Sequence, residues 1–176
     1  MLPQKYLNVL QKIYNKLKET NMNWVITGST AFVIQGIPLA PNDIDIQTDE
    51  RGAYQIEKCF KDFIKTKVRL SSDGKISSHF GCLEIDGIKV EIMGDIRKNI
   101  NGVWEEPVDL RKYKKYISFN DMHLPVLDLE YEYEAYMKMG RVEKAMLLKE
   151  WICKIKKSEV GGRTRGIDPF SRTNLI

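Results

Sequence analysis

Trp24-Val25-Ile26-Thr27-Gly28-Ser29-Thr30-Ala31-Phe32-Val33-Ile34 and, beyond eight intervening residues, Asp43-Ile44-Asp45-Ile46 decide how this chain is read. Trp24 to Thr27 is aromatic and β-branched, the composition of a short strand. Gly28-Ser29-Thr30 supplies the turn chemistry that ends a strand and opens a helix, and the apolar run Ala31 to Ile34 stops at Gly36 and Pro38. Asp43 to Ile46 alternates acid with isoleucine, which is the period of a strand. Ile44 and Ile46 are therefore expected to face a core, while Asp43 and Asp45 share the other face with their roots about 6.6 Å apart.

Two like charges so placed repel by about 2.5 kcal/mol at an effective dielectric of about 20, and aspartate is a poor strand former. Stability alone gives little reason for the pair. A divalent cation gives one, because hard carboxylate oxygens suit Mg²⁺, which takes one or two protein acids and fills its shell with phosphate oxygens and water. The competing account is an edge strand whose acids deter aggregation. Gly28 and Ser29 bear on that choice, since N–H groups at a strand-to-helix turn form an anion site. Glycine lets a phosphate approach the backbone, and Ser29 offers a hydroxyl, with an ordinary helix N-cap as its alternative role.

Outward from this segment, Leu7, Leu10, Tyr14 and Leu17 recur at helical spacing after Pro3, predicting an amphipathic helix near 4–20. A helix near 51–62 and a strand around Lys67 to Leu70 follow. Asp86-Gly87 separates Cys82 to Ile85 from Ile88 to Ile92, so a two-residue hairpin would set Glu84 opposite Lys89. After Met93 the sequence reads as irregular through Trp104 and Pro107, with short strands around Tyr116 to Phe119 and Leu124 to Val126. Helices are expected from Asp128 to Ile155, broken at Gly140. The Gly- and Arg-containing end lacks an apolar period and reads as a flexible tail.

The chain has 176 residues, 43% hydrophobic and 30% charged, enough for one catalytic body with a compact core. No apolar run suits a bilayer span and the lysine-dotted start is unlike a secretory signal, so the expectation is a cytoplasmic protein without a membrane role. Cys59, Cys82 and Cys153 are far apart and read as buried free thiols, and with His79 and His123 isolated no zinc site is expected. The net charge of +4 owes half its excess to the last sixteen residues, and elsewhere lysines interleave with acids, so there is no strong nucleic-acid signature. Lys138, Arg141 and Lys144 flank Gly140 as either a solvated helix face or a phosphate or acceptor contact.

Thr27-Gly28-Ser29, the thirteen residues from Thr30 to Asn42, and Asp43-Ile44-Asp45-Ile46 together resemble the signature of the DNA polymerase beta-like nucleotidyltransferase superfamily. The third acid of that signature, on a later strand between apolar residues, resembles Val90-Glu91-Ile92; Glu84 is the rival, set aside because the hairpin register gives it Lys89 as a surface partner. Two departures stand out: Leu39-Ala40-Pro41-Asn42 replaces the arginine and threonine that many relatives place before the paired acids, and glutamate replaces the commoner third aspartate.

The resemblance implies an α+β fold, a mixed sheet flanked by helices with a C-terminal helical segment. It divides the chain into a nucleotidyltransferase domain at 1–126, the helical segment at 127–157 and a flexible tail at 158–176. It further implies two Mg²⁺ ions held by Asp43, Asp45 and Glu91, a nucleoside triphosphate donor, ATP first among them, seated on Gly28 and Ser29, and Glu91 as the group taking the acceptor's proton. The acceptor would be a small molecule, an RNA or a protein. An aspartyl-phosphate phosphatase is disfavoured by Pro41-Asn42 ahead of the acids and Gln47 after them, and a sugar-nucleotide glycosyltransferase leaves Gly28-Ser29 unexplained. The alternative from another class is a nucleotide-binding partner or antitoxin-like interaction protein of the same fold.

Overall fold

The computed structural model describes residues 2–163, with side chains through Ser158. In chain order the elements are α1 (Gln4–Leu17), β1 (Trp24–Thr27), α2 (Gly28–Ile34), β2 (Ile44–Thr48), α3 (Glu50–Cys59), β3 (Ile64–Ser72), β4 (Ile76–Ile85) and β5 (Ile88–Ile100). There follow β6 (Val103–Trp104), α4 (Leu110–Tyr113), β7 (Lys114–Phe119), β8 (Met122–Leu127), α5 (Leu129–Lys138) and α6 (Val142–Arg163). The strands form one sheet in the order β3-β4-β5-β2-β1-β8-β7, with β6 attached to β5. It is mixed: β2 runs parallel to β5 and β1 parallel to β8, while β1 and β2 are antiparallel. The expected α+β architecture with its C-terminal helices is what the chain adopts.

One face of the sheet carries the main core. Ile44 and Ile46 of β2, Val90 and Ile92 of β5 and Ile26 of β1 are fully buried with Val9, Leu10, Ile13 and Leu17 of α1. The predicted helical period of α1 thus presents one apolar stripe to the sheet. Because strand side chains alternate, burying Ile44 and Ile46 sends Asp45 to the other face. A second cluster, Phe32, Ile37, Leu129, Tyr136, Ala145 and Leu148, ties α2 to α5 and α6.

The β4–β5 hairpin turns at Asp86-Gly87, both at positive φ (50° and 68°), and pairs Glu84 with Lys89 in the predicted register. The stretch expected to be irregular after Met93 is instead strand through Ile100. Its alternation is broken by a register shift against β4 and by Asp95 at φ 47°, a bulge that hides the strand from a period-two reading. The helix break falls at Gly140, at φ 71°. The last helix runs through Arg163, and residues 164–176, where most of the flexible-tail expectation falls, lie outside the described residues. The cysteines are free, but Cys59 and Cys82 are half-buried and Cys153 is exposed, so they are less enclosed than expected. Among the described residues no helix is long and apolar enough to cross a membrane.

Candidate active site

The parallel pairing of β2 with β5 sets Asp45 directly beside Glu91, and Asp43 sits just before β2 begins. Carboxylate oxygens of Asp43, Asp45 and Glu91 all lie within 4.8 Å of one another, each side chain half-buried. Thr30 Oγ1 donates to the Asp43 carbonyl at 2.6 Å, fastening α2 to the start of β2. The two segments that sequence reasoning singled out therefore meet.

Gly28 opens α2 at φ 66°, and a Cβ built there would lie 2.3 Å from Asp45 Oδ2. Only glycine leaves room for that carboxylate and accepts that backbone angle. The Gly28 N–H donates to Glu132 Oε1 at 3.1 Å, and Thr27 Oγ1 donates to the same oxygen. Thr27 is the N-cap residue of α2, but its side chain does not cap the helix, so Ser29 has neither the N-cap position nor that task.

The crowding of acids has a measurable consequence. Burial, followed by the charges of Asp43, Glu91 and Glu132, pushes the Asp45 carboxyl up to about 7. A cation among the three would reverse that logic, which is the sense in which these residues fit a divalent metal. Lys89 partly answers the same repulsion: its Nζ pairs with Glu91 and lies 3.8 Å from Asp43 Oδ2. Lys89 was expected to pair with Glu84. The backbone register is as predicted, but Glu84 pairs with Lys65 at 3.1 Å, because the long lysine arm of residue 89 reaches along its own strand to the more concentrated negative charge.

A cleft of about 260 Å³ runs from Asp45 and Glu91 under α5, past Met93, to Lys98. Strict alternation would put Lys98 on the face opposite Glu91; the bulge at Asp95 turns it into the cleft. There Lys98 is 5% exposed, donates to Tyr131 Oη at 2.8 Å, and has its pKa lowered by burial. Of the basic residues flanking Gly140, Lys138 pairs with Glu105 at 2.9 Å, whereas Arg141 lines the cleft over the Tyr136 ring. A larger cavity of about 740 Å³, beside Asn23 and Asp49 at the opposite ends of β1 and β2, contains none of the three acids.

Sequence reasoning passed over Glu132 and Lys98, and saw Lys89 only as a surface partner of Glu84. For Glu132 a signal existed: it falls on the same helical face as the buried Leu129, Ala135 and Tyr136. A charge in an apolar stripe marks a group with a specific partner.

Residues 9–147 match the family described as aminoglycoside-2''-adenylyltransferase. A candidate nucleotidyltransferase from Thermotoga maritima of known crystal structure is 59% identical, with 88% of this chain and 96% of that one covered and a TM-score of 0.78. The crystal structure of ANT(2'')-Ia in complex with adenylyl-2''-tobramycin shares the fold at 12% identity, covering 92% of this chain and 99% of that one, TM-score 0.54. The solution structure of ANT(2'')-Ia does so at 13% identity, covering 92% and 98%, TM-score 0.51. No curated protein sequence matches. With a matched span of that length and a close structural relative, the chain belongs to the aminoglycoside-2''-adenylyltransferase family and is a nucleotidyltransferase.

Proposed function

We propose that the protein moves a nucleoside monophosphate from a nucleoside triphosphate, ATP in the first instance, to a hydroxyl of an acceptor, with Asp43, Asp45 and Glu91 as the residues that hold Mg²⁺. The observation that carries this reading is the approach of three carboxylates to within 4.8 Å beside the Gly28 turn. Edge protection does not explain it, since β2 lies inside the sheet between β1 and β5, and Lys89 is one positive charge against three carboxylates. Bound Mg²⁺ would supply the positive charge that draws triphosphate and acceptor oxygens together and eases loss of the acceptor's proton.

The chain's own residues supply the rest. The Gly28 N–H is engaged by Glu132, so the phosphate contacts fall to Ser29, through its N–H and hydroxyl. Glu91 takes the acceptor's proton as the acceptor oxygen bonds to the α-phosphorus and the bond to pyrophosphate breaks. The site acts by placing charge and reactants.

The acceptor to try first is an amino sugar, because ANT(2'')-Ia is seen with an adenylylated tobramycin. Incubation with α-labelled ATP, Mg²⁺ and tobramycin, then with RNA and cell-extract proteins, tests the reading. Label should move to an acceptor and Asp45→Ala should lower transfer by about a thousandfold or more, the scale of losing a metal-held electrostatic contribution. Wild type that binds ATP with Mg²⁺ yet labels nothing would favour an interaction protein instead.

A further inference from the structure

We propose that Glu132 is a positioning residue of this site: from α5 it holds the Thr27-Gly28 turn in the conformation that seats the Asp45 carboxylate among its partners. The inference rests on the acids being the metal site, and the experiment below separates the two.

Glu132 is 6% exposed, which is unusual for a carboxylate, and both of its hydrogen-bond donors come from consecutive residues of one turn, Thr27 Oγ1 and the Gly28 N–H. Its own helix needs nothing from it, since α5 packs through Leu129 and Tyr136 and an apolar residue would suit that face. The turn it grips forms the wall of the site. Gly28, at φ 66°, presents bare backbone where Asp45 Oδ2 comes to rest, 2.3 Å from the place a Cβ would occupy. Fixing Gly28 therefore fixes Asp45.

The charge of Glu132 adds to the repulsion that disfavours the ionised form of Asp45 while no cation is present, so its charge does nothing to hold the turn. What the site gains from it is the pair of hydrogen bonds. Glutamine at this position keeps an oxygen that accepts both, and alanine keeps neither. Groups that orient metal ligands typically govern metal affinity without touching the ion.

The test is Mn²⁺ binding to the full chain, followed by electron paramagnetic resonance, with the Gly28 amide proton followed by NMR as a direct report on the bond. The dissociation constant should rise about tenfold in Glu132→Ala, the scale seen when groups that orient ligands are removed, and clearly less in Glu132→Gln, which loses the charge but keeps both hydrogen bonds. The Gly28 amide resonance should move upfield in Glu132→Ala and recover in Glu132→Gln. Should the alanine variant fail to fold, Thr27→Val removes one donor, leaves the carboxylate in place, and should weaken Mn²⁺ binding about threefold. Unchanged affinity in Glu132→Ala, or in Thr27→Val where that variant stands in for it, overturns the inference. So does Glu132→Gln binding as weakly as alanine. Wild type that binds no Mn²⁺ overturns the metal-site reading and this inference together; bound Mn²⁺ indifferent to Glu132 overturns this inference alone.

Discussion

The two ends of β2 pose the same packing problem and answer it differently. At the far end, Gly52 of α3 leaves space for Thr48, whose Oγ1 would lie 2.0 Å from an added Cβ, and Asp49 caps the helix by accepting the Gly52 N–H at 2.6 Å. At the near end, Gly28 leaves space for Asp45, but its N–H goes to Glu132, so Asp45 caps nothing. Asp49 completes a local hydrogen-bonding requirement. Asp45 is instead pressed against Asp43 and Glu91, which destabilises its charged form. A carboxylate with a local task is structural; one held among other acids without such a task points to a ligand.

Substitutions can break or sharpen that contrast. Gly28→Ala should have the largest effect: its Cβ must displace the Asp45 carboxylate and the residue must hold a positive φ, so metal affinity should fall by about a hundredfold with about 2–3 kcal/mol of stability lost. Calorimetric Mn²⁺ titration and urea unfolding would measure both. A variant that binds metal normally would remove the near end's special status.

Asp45→Asn comes next, and its effect is a gain. The folded-state pKa of Asp45 is raised from 3.8 to about 7, so the folded chain holds that proton more tightly than the unfolded chain. The contribution is fully present below the unfolded value and is lost as pH rises through about 7. At pH 8 in chelator, asparagine, which is always neutral, should therefore stabilise the protein by about 2 kcal/mol, an advantage that shrinks as the pH falls through the Asp45 titration. Thermal unfolding across pH checks it; an advantage that grows as pH falls would contradict the assigned cause.

The far end gives the smaller effects. Gly52→Ala should cost about 1–2 kcal/mol through overpacking against Thr48, and Asp49→Ala about 1 kcal/mol through the lost cap. Metal affinity per folded molecule should be unchanged in both. A loss of metal binding in either variant would mean that the two ends are coupled.

The near end was legible in sequence because its signals are local. The period of Asp43 to Ile46, the Gly28-Ser29 turn and the Asp86-Gly87 hairpin each depend on a few adjacent residues, and together they brought out the paired aspartates and the register of Glu84 with Lys89, while Glu91 came from the resemblance to the nucleotidyltransferase signature. Side-chain choice was not legible. Register fixes which backbones face each other, yet Lys89 turned to Glu91 and left Glu84 to Lys65. The second half of β5 was missed because a bulge breaks the alternation that announces a strand. Glu132 was missed because a glutamate on a helix ordinarily faces water, and its partners, Thr27 and Gly28, are more than a hundred residues away in the chain.

Mn²⁺ titration of wild type beside Asp45→Ala, Glu91→Gln and Glu84→Gln tests the central claim most directly, since Glu84 and Glu91 share a hairpin but only Glu91 joins the cluster. Binding should be abolished in Asp45→Ala, strongly weakened in Glu91→Gln and untouched in Glu84→Gln. Wild-type affinity in Asp45→Ala, or a loss confined to Glu84→Gln, would contradict the account.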